Sequence, residues 1–163
     1  MDDKLDIRAS GFESVNDIKM ALNNTSVLGR GEKIAANVCI TNVKEYYKSN
    51  FDLELSSNEV IQVLEAKEKR EKEFKRLGIN SKEKAEAYDY KQIQEMKREY
   101  RDVKNSPSVL QRSNVAQVQE KFLVYLRSLM PLYKDKEGKG FKNEKSLAAF
   151  IEDHHKEMES LER

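Results

Sequence analysis

Between Glu32 and Leu161 apolar side chains recur in several long segments every three or four residues, and only two prolines, Pro107 and Pro131, fall in that span. That spacing matches one face of an α-helix. A sandwich or barrel needs a turn every 8–12 residues or so, and six glycines with two prolines in 163 residues do not supply them. The expected fold class is therefore all-α: an irregular helical bundle of about six helices, folded as a single helical domain over residues 1–163.

Helix boundaries follow from capping chemistry. Residues 4–10, KLDIRAS, alternate weakly and read as a short N-terminal strand or extended arm. Ser14 can cap a helix running to about Asn23, with Val15, Ile18 and Leu22 on one face. A second helix is expected from about Glu32 to Lys48, lined by Ile34, Ala35, Val38, Val43, Tyr46 and Tyr47. Ser56 and Glu59 form a capping box for a third helix ending at Leu77. Gly78 suits the left-handed residue after a helix end. Asn80 with Glu83 offers a second box, so LGIN links an αα-hairpin over residues 57–104. Ser106 as cap and Pro107 at the first helical position start a fifth helix to about Tyr133, the most apolar of all. Asn143 caps the last helix, where Leu147, Ile151, His154, Met158 and Leu161 recur at coiled-coil spacing.

The hairpin contains the most charged stretch of the chain. Within residues 65–73, EAKEKREKE, the only apolar side chain is Ala66. Glu65–Lys69, Glu68–Lys72 and Glu71–Lys75 place an acid four residues before a base. Each such pair stabilises a helix by about 0.2–0.5 kcal/mol, so three contribute about 1 kcal/mol. A solvated helix surface is the first expectation for this arm, leaning on the body or projecting from it. A docking arm using Lys69, Arg70, Lys72, Lys75 and Arg76 is the second. A DNA-reading helix-turn-helix fits least, because the following helix opens with Glu83, Glu86 and Asp89, which phosphates would repel.

Charge balance narrows partners. Thirty basic and twenty-nine acidic residues leave a net charge of +1, so no global field draws the chain to nucleic acid or anionic membrane. No apolar run reaches the roughly 18–20 residues that span a bilayer. One cysteine excludes an internal disulfide, and the N-terminus has no signal-peptide pattern. The expected location is cytoplasmic, without membrane association.

Candidate chemistry is sparse. Glu152 and His155 have the Glu-x-x-His spacing of di-iron bundles, but His154 and His155 are the only histidines, so no metal site is expected. Cys39 reads as a small core residue. The segment 134–145, KDKEGKGFKNEK, holds five lysines and two glycines, yet lacks the Gly-Lys-Ser/Thr of a phosphate loop. No catalytic set and no cofactor fingerprint assembles, so the chain is not expected to be an enzyme.

Residues 5–24, LDIRASGFESVNDIKMALNN, resemble the start of bacteriophage head–tail joining and tail-completion proteins, which open with a short strand, a glycine and an amphipathic helix. The resemblance implies an assembly role of phage or mobile-element origin; the long helices from Ser57 onward depart from that mainly sheet-containing family.

The expected function is a non-enzymatic helical protein–protein interaction or assembly protein. It would bind a protein partner or self-associate through the charged arm and through Ile151, His154, Met158 and Leu161 of the last helix. The alternative is a nucleic-acid-associated accessory or regulatory factor, using lysines of the third helix and Lys134, Lys139, Lys142 and Lys145 of the loop.

Overall fold

The structure, a computed structural model, describes residues 3–162. It is all-α, with no strand among the described residues. Six helices of nine residues or more carry it: α1 (Val15–Asn23), α2 (Arg30–Phe51), α3 (Ser57–Leu77), α4 (Lys82–Lys104), α6 (Val115–Leu129) and α7 (Glu144–Glu162). A single turn, α5 (Val109–Arg112), precedes α6. None of these helices is long and apolar enough to cross a membrane. The packing divides into two compact units, with the division between Lys69 and Arg70 inside α3.

In the first unit the expected strand or extended arm is replaced by two 3₁₀ turns, Asp3–Leu5 and Ile7–Ser10. A lone strand has no neighbour for its backbone groups. The turns satisfy theirs locally. Asp6 accepts from the Arg8 N–H, and Gly11, at φ 90°, donates back to the second turn. The strand in the phage-protein resemblance is thus not formed here. Ser14 caps α1 as expected, and Ala21 joins Val15 and Ile18 in the core while Leu22 is only half-buried.

Helix α2 is longer than expected and turned on its axis. Ala36, Cys39, Ile40, Val43, Tyr47 and Phe51 face inward, whereas Ile34 and Val38 are 58% and 50% exposed. Two overlapping stripes at helical spacing exist in this segment, and α1 packs on the one ending in the larger aromatics. Burial raises the Cys39 thiol above its usual range. The capping box of α3 forms reciprocally: Glu59 N–H donates to Ser56 Oγ, and Ser56 N–H to Glu59 Oε1. The first part of the charged arm lies against the N-terminal segment. Val15 N–H donates to Glu68 at 2.9 Å, Lys67 Nζ donates to the Leu5 carbonyl, and Lys19 pairs with Glu65.

In the second unit the rest of α3 pairs with α4. Phe74 meets Tyr88 edge-to-face, with ring centroids 5.1 Å apart. Gly78, at φ 68°, closes α3, and Ile79 N–H donates to the Phe74 carbonyl. Ser81, not Asn80, caps α4, because its hydroxyl accepts from Lys84 N–H.

The expected continuous helix from Pro107 to Tyr133 is broken twice. Ser108 caps the single turn α5, and Ser113 donates to the Leu110 carbonyl. Such short side chains compete with the helix for backbone groups. Pro131, which has no N–H to offer a helix, lies in the 3₁₀ turn Met130–Leu132 that follows α6. Only the second half of α6 is fully buried, at Val124, Tyr125, Leu126 and Leu129. Asn143 caps the first turn of α7 as expected, through the Ser146 N–H. Leu147, Ala148 and Ile151 bury one side of that helix against α4 and α6.

Candidate functional site

Asp89 lies on α4 four residues before the buried Ile93, so helical geometry points both inward. Its side chain is 0% exposed. Four donors meet its two oxygens. Arg70 binds through both edges of its fork, Nε to Oδ1 at 2.9 Å and Nη2 to Oδ2 at 2.8 Å. The Tyr125 hydroxyl donates to Oδ1 and the Tyr133 hydroxyl to Oδ2, both at 2.6 Å. Burial, with the adjacent Asp89 charge, pushes both phenols far above the usual tyrosine range, so they remain donors. Burial opposes the charge on Arg70, and the bonds to Asp89 more than offset it, so its guanidinium is held more firmly protonated.

An ionised carboxylate accepts about four hydrogen bonds, and Asp89 receives all four from the protein. It retains no lone pair for a substrate proton. No buried side-chain polar atom lacks a partner among the described residues. This knot ties α3, α4 and α6 together as structure, and it fixes one wall of a neighbouring cleft, since Tyr133 also lines that cleft.

The cleft lies between α4 and α7 and encloses about 130 Å³. One turn before Asp89, Glu86 faces the histidine pair. His154 Nε2 lies 3.1 Å from Glu86 Oε2, and its ring is parallel to Phe150. His155 stacks on Tyr90 with ring centroids 3.8 Å apart, and its Nε2 is 3.2 Å from Glu159 Oε1. Ile151 and Tyr133 contribute apolar surface; Glu83, Met158 and Glu159 complete the lining. Among the described residues no cluster of three or more His, Cys, Asp or Glu side chains could hold a metal ion. Glu152, of the Glu-x-x-His pattern, pairs with Lys97 instead of joining His155 at a metal.

The residues expected to bind partners separate. Ile151, His154 and Met158 come together at the cleft, with Leu161 one turn further along α7 and 81% exposed. Ile151 itself is core. On the arm, Lys69, Lys72, Lys75 and Arg76 are exposed, and Arg76 is held bidentate by Glu73. Arg70 is only 12% exposed and committed to Asp89, so it is not offered to a partner.

The glycine–lysine loop does not form a phosphate cradle. Asp135 Oδ1 accepts from the Glu137 and Lys139 N–H groups, which occupies amides that an anion would need. Lys139 pairs with Glu137, while Lys134, Lys142 and Lys145 point to solvent.

Helical spacing puts Tyr125 and Tyr133 on the apolar face of the expected fifth helix and Glu83, Glu86 and Asp89 on the fourth, but it brings neither Arg70 to Asp89 nor Glu159 to Glu86. The one available signal was an acid in register with Ile93 on an otherwise apolar face. No protein-family model, curated protein or solved structure matches the chain. What the fold and site define is a class, an all-α protein with a carboxylate-lined cleft between two helices.

Proposed function

We propose that the protein is a non-enzymatic interaction or assembly protein that docks a protein partner, or another copy of itself, on the α4–α7 face. The observation that carries this reading is the apolar register of α7. It is buried at Leu147 and Ile151, then continues past the cleft onto Met158 and Leu161, which are 38% and 81% exposed. Apolar side chains in one register, beside a concave surface, favour contact with another macromolecule. The buried carboxylate of Asp89 is saturated by four donors from the protein and has no lone pair left for a substrate. A cytoplasmic setting belongs to the same reading, since a lone buried thiol needs no oxidising compartment.

The test is site-specific photo-crosslinking in the native host, with the reactive residue placed at Met158 or, as control, at the exposed loop position Lys142. A defined adduct from position 158 that is lost in a Leu161→Glu background is expected. Equal adducts from both positions, or no adduct together with a monomeric mass by light scattering, would sink the reading. The nucleic-acid alternative is decided by a salt-titrated mobility shift, which must show steep ionic-strength dependence if several phosphates are contacted.

A further inference from the structure

We propose that the α4–α7 cleft receives a single basic side chain, lysine or arginine, presented on an exposed segment of a partner protein. The inference rests on the docking reading above and names the chemistry of its centre.

Size comes first. Small-molecule and cofactor sites usually enclose about 300–1,000 Å³, whereas this cleft encloses about 130 Å³. That is room for one side chain and not for a nucleotide or flavin.

Sign comes second. Glu83, Glu86 and Glu159 line the cleft, and no lysine or arginine does, although the chain has thirty. Glu86 presents Oε2 to His154 and Oε1 to the exposed Lys82 at 4.0 Å, whereas Glu159 presents only Oε1 to His155 and keeps its other oxygen for a further donor. Glu83 makes no ion pair among the described residues and is exposed at the rim. A phosphate or carboxylate ligand would be repelled here.

The walls supply the third element. Phe150, Tyr133, Ile151 and the Met158 thioether form an apolar lining. A methylene stem packs on such a surface while its charged end stays at the carboxylates, and ring faces attract a cation directly. The exposed Leu161 beyond the cleft gives the residues flanking that side chain something to cover. A free amine would leave it bare, and this favours a peptide segment as the source.

The experiment is an NMR titration of the full chain at low salt, reading the Met158 methyl and the imidazole Hε1 signals. The probes are acetyl-Ala-Arg-Leu-amide and its lysine counterpart, with norleucine in place of the basic residue as the neutral control and n-butylammonium as the free cation. Saturable shifts with the basic peptides are expected, with both controls weaker by about tenfold or more, and with binding weakened as salt shortens the Debye length. Glu83→Gln with Glu159→Gln is expected to weaken the basic peptides by about tenfold; where that pair alters melting, Glu83→Gln alone is used.

Equal binding of the norleucine peptide would overturn charge recognition. Equal binding of n-butylammonium would reassign the cleft to free amines. Undiminished binding in a normally folded glutamine variant would also sink the proposal. Crosslinking from position 158 that persists without any peptide binding would remove this inference and leave the docking reading intact.

Discussion

Asp89 is fully buried in the second unit and is bonded by four donors. It carries a buried charge whose four bonds come from Arg70, Tyr125 and Tyr133. Removing one partner of a buried pair strands the other, at a cost of about 3–5 kcal/mol. Asp89→Ala should therefore lower stability by that amount in urea unfolding, whereas Glu71→Ala, on the exposed surface of the arm, should change it by less than about 1 kcal/mol. A small effect of Asp89→Ala would mean that the knot is not formed. The two phenols give a second readout. Their folded values are raised above the ordinary tyrosine value of about 10. Their contribution is complete below that pH and is lost as pH climbs beyond it, where the unfolded chain releases protons that the folded chain keeps. Stability should fall above about pH 10, by up to about 1.4 kcal/mol per pH unit for each phenol. The double variant Tyr125→Phe/Tyr133→Phe should start less stable and fall less steeply.

At the scale of single elements, what could be read from the sequence was the chemistry of the helix ends. Ser14, the Ser56–Glu59 box, Gly78 and Asn143 act where their residue types suggest, because a cap needs only neighbours within three residues. Asn80 and Ser81 are both competent, and the structure uses Ser81. Ser81→Ala should cost about 1 kcal/mol by chemical denaturation and Asn80→Ala less than about 0.5 kcal/mol; the reverse order would restore the Asn80 cap. What could not be read was helix phase. In α2 Val43 and Tyr47 are buried as expected, but in the first half Ile34 and Val38 fit helical spacing as well as Ala36, Cys39 and Ile40, which are the ones buried. Which set turns inward depends on what α1 presents to it. The break before α6 was hidden for a related reason: Ser113 and Asn114 are tolerated within helices, and only their local bonds end this one.

For the whole chain, composition and spacing alone already disfavoured a sandwich or barrel, because a segment that returns its apolar side chains every three or four residues buries them together as a helix. The caps, the helix number and the absence of a membrane-spanning helix follow from the same local rules. Only tertiary packing brought Arg70, Asp89, Tyr125 and Tyr133 to one point, or turned Glu83, Glu86 and Glu159 toward one cleft. Those residues are distant or unremarkable along the chain, and their meeting depends on which helix faces come together. Periodicity marks which face of each helix is apolar but not which other helix that face will meet, so the bundle was written in the residues while its knot and cleft came from the way the helices were paired.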